Sequence, residues 1–195
     1  MARKVLIEMD ALLDRLGATF RDVGYDGASL TLLSEAAGLK KASLYHRFPG
    51  GKEQMGLEVL QETGRWLTQH VLGPLGGEGT PRERVTAMTR ELRSFYQGGK
   101  QACLLNLLSS PISEASPFKA SIHQMFEAFV GALTNVVAEE GYAVSAARDR
   151  AERGVALIQG SLVLARGLGT TAPFRKTLDA LPDELLADTQ RARSA

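Results

Sequence analysis

Cysteine is almost missing from this chain: Cys103 stands alone, which excludes an intramolecular disulfide and any cysteine-built zinc site. A reducing cytosol is the compartment that fits. His46, His70 and His123 lie far apart in sequence, so no metal and no cofactor is expected. Long apolar runs are also lacking, since the most apolar stretch, residues 155 to 165, is broken by Gln159 and Ser161 and spans about half of the ~20 residues a membrane span needs. The chain is expected to be cytoplasmic and to touch no membrane. Its short basic start leads into Glu8 and Asp10, which interrupt what would be the apolar region of a signal peptide. There is no phosphate-cradling glycine motif followed by Lys and Ser/Thr, no GxSxG elbow and no HExxH pair, so no enzyme is expected. An excess of charge of one sign is missing as well. A formal net charge of +1 over 195 residues is a poor basis for coating nucleic acid over a whole surface, so any contact with it must be local.

What the chain does contain is a segment from Ser29 to Glu53 that reads as two short helices around a tight turn. Ser29 can cap a helix whose apolar positions Leu30, Leu33, Ala36 and Ala37 recur at helical spacing, and Gly38 supplies a left-handed stop. A second helix follows from Lys41 to Phe48. Its apolar pair, Leu44 and Phe48, stands one turn apart and faces the core, leaving Ala42, Ser43, Tyr45 and His46 on the outer side. Residues 36 to 52 hold Lys40, Lys41, Arg47 and Lys52 and no acid, a local concentration of positive charge that suits phosphate. Two helices joined at a glycine-containing turn form the helix-turn-helix, whose second helix lies in the major groove. The same pattern occurs in ordinary helical bundles, and four basic residues also make an ordinary solvated face.

The order of residue types is more specific than the pattern. The run Gly24-Tyr25, Ser29, Glu35-Ala36-Ala37-Gly38-Leu39, Leu44-Tyr45-His46, Phe48 and Lys52-Glu53 closely resembles the DNA-binding domain of the tetracycline-repressor (TetR) family of bacterial regulators. The match spans about the first 55 residues. Lys40 stands where the family usually has a Ser or Thr before the recognition helix, so phosphate or water is left to satisfy the first N–H groups, and Arg47 replaces a common His. The Pro49-Gly50-Gly51 turn is one residue longer than the most frequent form and resembles a PGGKE subgroup that includes regulators of multidrug-efflux and flavonoid-responsive operons. On a helical projection Ser43 and His46 are base-edge candidates, Ala42 is placed for a thymine methyl, and Lys41, Tyr45, Lys52 and Thr31 are assigned to phosphates.

The remainder reads as helix nearly throughout. Leu6, Met9, Leu13, Leu16, Phe20 and Val23 alternate steps of three and four and predict a first helix that braces the helix-turn-helix. A fourth helix over about 52–72 ends at the glycine-rich linker 73–79, and Thr80-Pro81 opens another with proline at its first position. A short helix around 102–108 precedes Ser109-Ser110-Pro111. Two long helices follow, about 117–140 and 145–168, and the tail from Ala172 to Ala195 holds one or two short amphipathic helices. The fold class is therefore all-α: a three-helix head over residues 1–55 and a helical bundle over 56–195.

The head is the diagnostic part; the body admits more than one reading. Ala147, Ala151, Gly154, Ile158, Ser161 and Ala165 put small residues at steps of three and four, which serve either internal packing or, as the resemblance implies, a two-fold four-helix interface. Trp66, Phe95, Tyr96, Cys103, Leu107, Met125 and Phe129 offer aromatic faces and sulfur on helices that the family packs around a ligand cavity, and each also fits a plain core. His123 and Glu127, one turn apart, suit an exposed pair or a ligand contact. The resemblance implies a homodimeric repressor that binds a near-palindromic operator, lies on the nucleoid when bound, and is released by an apolar or aromatic small molecule. The alternatives are a regulator switched by Cys103 oxidation or by no ligand, and a helical carrier or enzyme that keeps the head as a scaffold.

Overall fold

The computed structural model describes residues 8–109 and 116–187. Leu6 of the first apolar stripe, the Ser110-Pro111 break and the end of the tail beyond Ala187 lie outside the described residues. All regular structure among the described residues is helical: α1 (Met9–Gly27), α2 (Leu30–Ala37), α3 (Lys41–Arg47), α4 (Gly51–Trp66), α5 (Pro81–Phe95), α6 (Leu104–Leu108), α7 (Lys119–Ala138), α8 (Val144–Gly167) and α9 (Ala172–Leu186). None of these helices is long and apolar enough to cross a membrane.

The chain forms two compact units. The first comprises residues up to Arg65 together with Leu104–Ile122, and the second comprises Trp66–Cys103 and the residues from His123 onward. Helices α4 and α7 each run covalently from the first unit into the second.

In the first unit the apolar stripe of α1 holds only at its centre: Leu13, Leu16 and Phe20 are buried, at most 4% exposed, joined by Leu12, whereas Met9 and Val23 toward the helix ends are 41% and 46% exposed. α2 and α6 both pack on α1, so a segment more than sixty residues downstream completes the N-terminal unit. The regular turn of α1 breaks at Gly24, whose φ of 73° lies in the left-handed region that a side chain disfavours. Tyr25 thereby leaves the helical path.

In the second unit α9 is the central packing partner, lying against both α5 and α8. α5 begins with Pro81 in its first turn, as read, and the structure adds a reciprocal cap: the Thr80 hydroxyl accepts from Glu83 N at 3.3 Å and the Glu83 carboxylate accepts from Thr80 N at 2.9 Å. Replacing Thr80 by Ala removes the cap and is expected to cost about 1 kcal/mol of unfolding free energy, measurable by urea denaturation. The Thr80 backbone N–H, then its hydroxyl, hold the Glu83 carboxyl below the usual carboxylate range. The support this gives is complete above the unfolded carboxylate's value and fades as pH falls through the lowered one.

The fourth helix is shorter than the pattern suggests. After Trp66 the backbone widens into a π-helical stretch, Leu67–Leu72, and then tightens to a 3-10 turn, Gly73–Gly76. Arg84, only 8% exposed, donates to Leu75 O at 2.9 Å and pairs with Glu139, fastening the end of this segment between α5 and α7. Over its described residues the tail forms a single helix, α9, with Pro182 inside it. Phe174 of α9 is fully buried against Gly99, where an added Cβ would approach within 2.9 Å of the Phe174 Cβ. At φ 105° Gly99 is a position that both backbone and space reserve for glycine.

Candidate nucleic-acid interface

Local capping sets both ends of α2, the first helix of the pair. The Ser29 hydroxyl accepts from Leu32 N at 3.2 Å, and Gly38, at φ 65°, closes α2 with its N–H on Glu35 O and Leu39 N on Ser34 O, both at 3.0 Å. Arg15 of α1 donates to Ala37 O at 3.4 Å, so the bracing helix also satisfies the end of α2. Two residues further, α3 starts at Lys41, its cap position filled by Lys40, whose side chain makes no capping bond.

Leu44 and Phe48 turn inward and are buried, 1% and 0% exposed. Lys41, Ala42, Tyr45 and His46 consequently share the exposed face of α3, at positions i, i+1, i+4 and i+5. Ser43 and Arg47 lie on its flank, half-buried. Thr31 is exposed on α2, with Leu32 beside it 41% exposed. The turn into α4 is held by Gly50 N donating to Gln54 Oε1 at 2.8 Å. Gly51, at φ 66°, lies close under the Tyr45 ring: an added Cβ there would sit 3.7 Å from Tyr45 Cε1.

Lys52 is not on the same footing as Lys41. Its ammonium donates to Tyr25 O at 3.0 Å and stands 4.4 Å from the centre of the Tyr25 ring, so it is half-buried and turned toward the end of α1. Burial, then the charges of Glu53 and Asp26, push the Tyr25 phenol up, which keeps the ring neutral and its face available to the cation. Of the seven residues assigned to DNA, four therefore share one open face, Thr31 lies on the neighbouring helix, Ser43 is at the margin, and Lys52 is engaged inside the unit. Sequence reasoning missed Arg15 and Tyr25. Arg15 looks like any polar position between Leu13 and Leu16, and only the positive φ of Gly24 brings Tyr25 under Lys52.

The second unit gathers part of the ligand set. Trp66 stacks on His70, at 4.8 Å and 28°, and on Phe95, at 4.4 Å and 20°. Phe95 meets Tyr96 edge-on at 4.9 Å, Tyr96 meets Phe174 at 5.7 Å, and the Tyr96 hydroxyl donates to Cys103 Sγ at 3.4 Å. Trp66, Phe95, Tyr96 and Cys103 thus form one continuous cluster, in which Cys103 is only 4% exposed. Met125 is half-buried and Phe129 buried on α7, whereas Leu107 belongs to the first unit. Glu127 accepts two bonds from Arg148, at 2.9 and 3.1 Å, and Arg148 also pairs with Glu152, so the carboxylate one turn from His123 is committed to α8. No group of three or more His, Cys, Asp or Glu side chains that could hold a metal occurs among the described residues.

The small-residue stripe of α8 lies inside the chain. Ala147, Ala151, Ile158, Ser161 and Ala165 are at most 5% exposed, and a Cβ on Gly154 would fall 2.9 Å from Leu185 Cδ2 and 3.5 Å from Leu181 Cδ1 of α9. Those residues let α9 approach closely and are covered by it. The opposite face of α8 is open, with Leu157, Val163, Leu164 and Leu168 from 39% to 66% exposed and nothing within 4 Å of a Cβ on Gly160 or Gly167.

A chain that is helical throughout its described regular structure and presents a helix-turn-helix whose second helix is basic and free of acid is built as a helix-turn-helix DNA-binding regulator. The chain belongs to the TetR family: residues 12–59 match the family described as bacterial regulatory proteins, tetR family, and residues 81–180 match the C-terminal domain of LmrA/YxaF-like transcriptional regulators. The HTH-type transcriptional regulator LmrA of Bacillus subtilis (strain 168) is 24% identical over 179 residues, covering 90% of this chain and 95% of LmrA. Among solved structures, a TetR transcriptional regulator from Legionella pneumophila superposes with a TM-score of 0.79 at 20% identity, covering 91% of this chain and 97% of that one. A cysteine mutant of the regulator CifR, solved with 26bp double-strand operator DNA, gives a TM-score of 0.68 at 22% identity, over 92% of this chain and 98% of that one.

Proposed function

We propose that this regulator is a homodimeric repressor that reads a near-palindromic operator with α3 and is released from it by an apolar or aromatic small molecule. In this reading residues 1–55 bind DNA, residues 56–195 sense the effector and dimerise, and the protein works in the cytoplasm, on the nucleoid when bound. The observation that carries it is the exposed face of α3, where Lys41, Ala42, Tyr45 and His46 stand together in a stretch without acid. CifR, a similar fold, has been solved on operator DNA, which supports the same use here. Lys41 and Tyr45 are assigned to phosphates, as is Thr31; His46 and the marginal Ser43 are assigned to base edges and Ala42 to a thymine methyl.

Lys41→Ala is expected to weaken binding to every DNA sequence and to lower the salt slope by about one, while His46→Ala relaxes sequence preference by about 1–3 kcal/mol at one position of each half-site. Titrations over a salt series with matched and mismatched duplexes measure both. Unchanged slope and preference would remove the assignment.

Dimerisation is placed on the open face of α8. Leu157, Gly160, Val163, Leu164, Gly167 and Leu168 recur at steps of three and four there, a stripe that a second copy's α8 can cover around a two-fold axis. Ala147, Ala151, Gly154, Ile158, Ser161 and Ala165 support that face from within, through α9.

The effector is proposed to join the Trp66–Phe95–Tyr96–Cys103 cluster, with Met125 and Phe129 of α7 as further candidates. Trp66 is stacked on both His70 and Phe95, so a ligand that joins the cluster alters the surroundings of the indole and with them its fluorescence. A coupling of ~1–3 kcal/mol lowers operator affinity about 5- to 150-fold. Titrating hydrophobic compounds into the operator complex is expected to quench Trp66 and dissociate the DNA together; a ligand that quenches without release is not the inducer. The burial of Cys103 favours this reading over a switch by oxidation, because a redox-sensing thiol needs access to its oxidant.

A further inference from the structure

Phe118 belongs by sequence to the approach to α7, yet it folds with the N-terminal unit and is only 2% exposed. Its ring meets Tyr25 edge-on at 4.9 Å and 74°, and it fills the notch over Gly56 of α4, where an added Cβ would fall 2.9 Å from Phe118 Cε1 and Cζ and 3.4 Å from Tyr25 Cε2. Tyr25 is clamped on its other sides. Phe20 stacks on it at 5.9 Å and 24°, and Lys52 engages both its ring and its carbonyl. Lys52 in turn adjoins Gly51, which lies close under the Tyr45 ring on the exposed face of α3. A line of contacts therefore runs from Phe118 through Tyr25 to Lys52 at the start of α4, next to the turn that leads out of the DNA-facing helix, all inside one unit.

We propose that Phe118 is a positioning residue for DNA binding, holding Tyr25 so that Lys52 fixes the start of α4, and with it α3, in the register that fits DNA. The proposal rests on reading α3 as the DNA-reading helix. Tyr25 sits just past the Gly24 kink, where the last turn of α1 departs from the axis of the rest, and side chains from α1, α4 and the approach to α7 surround it. Phe118 supplies the one contact among these that comes from the chain leading into α7, and a shift in the first turn of α7 would withdraw it. Ordinary core packing would also bury a phenylalanine, but it would not couple that residue to Lys52.

The test is a double-mutant cycle between Phe118→Leu and Lys52→Met, read as affinity for a duplex selected from a random pool by the full-length wild-type protein, with thermal unfolding of each variant measured alongside. Phe118→Leu is expected to bind about tenfold more weakly while remaining folded at the assay temperature, and to add less than about twofold once Lys52 is already Met. Gly56→Ala, which pushes on the same ring from the α4 side, is expected to weaken binding likewise, and combining it with Phe118→Leu to recover part of the loss. It carries the test if Phe118→Leu does not fold. Wild-type affinity in Phe118→Leu, or effects of Phe118→Leu and Lys52→Met that simply multiply, would overturn the proposal. A wild-type protein that selects no duplex would instead overturn the reading of α3 on which it rests.

Discussion

Gly160→Arg is expected to yield a folded monomer whose operator affinity is lower by about two orders of magnitude or more. The position lies on the open face of α8, with nothing among the described residues within 4 Å of an added Cβ, so an arginine can leave the helix without a clash at its base. In the proposed dimer the same position faces its two-fold mate among Leu157, Leu164 and Leu168, and two guanidinium groups would be forced together in an apolar seam. Each head alone then binds one half-site. The linked second contact, which multiplies affinity by about 10²–10⁴ when two sites are held at the right spacing, is lost. Sedimentation and unfolding curves separate the two effects: the variant sediments as a monomer with near wild-type stability. A wild-type protein that is itself monomeric at micromolar concentration would remove the dimer from the account.

Gly154→Arg, six residues earlier on the same helix, is expected to fail in the opposite way. Leu185 and Leu181 of α9 already stand 2.9 and 3.5 Å from where its Cβ would be, so an arginine both overfills the contact and brings a charge between α8 and α9. Overpacking and an unpaired buried charge each destabilise, and together they are expected to cost about 3–5 kcal/mol or more, enough to unfold much of the protein. The measurement is the urea midpoint, and loss of cooperative unfolding is the predicted result. A stable, folded Gly154→Arg variant that had merely become monomeric would show that α9 does not cover this face in solution. The contrast between the two glycines is the useful part, because each outcome is checked against the other on one helix.

That contrast also marks where the sequence was legible. Ser29, Gly38 and the Thr80-Pro81 start could be placed from neighbouring residues alone, because a helix end is set by bonds between residues a few positions apart. The inward pair Leu44 and Phe48 followed from helical period, and so did the open face of α3. Partners far along the chain were not legible in this way. A stripe of small residues from Ala147 to Ala165 states that some helix comes close without saying which one, and α9 lies only a short loop away in the same chain. Lys52 reads as one more positive charge until the break at Gly24 brings Tyr25 beneath it. Leu104–Ile122, including Leu107 and Phe118, carries nothing in its composition that assigns it to the N-terminal unit; that membership depends on how α6 packs on α1. The π-helical stretch after Trp66 was hidden for a similar reason, since its apolar spacing is compatible with a continued α-helix.

The most direct test of the account is selection of duplexes from a random pool by the purified full-length protein, followed by titration of the recovered sequence against an unrelated duplex at one fixed salt concentration. A near-palindromic sequence with half-sites about one helical turn apart is expected, bound about 10³-fold or more tighter than the unrelated duplex, with that preference relaxed by His46→Ala. Recovery of no common sequence, with equal affinity for both duplexes, would contradict it.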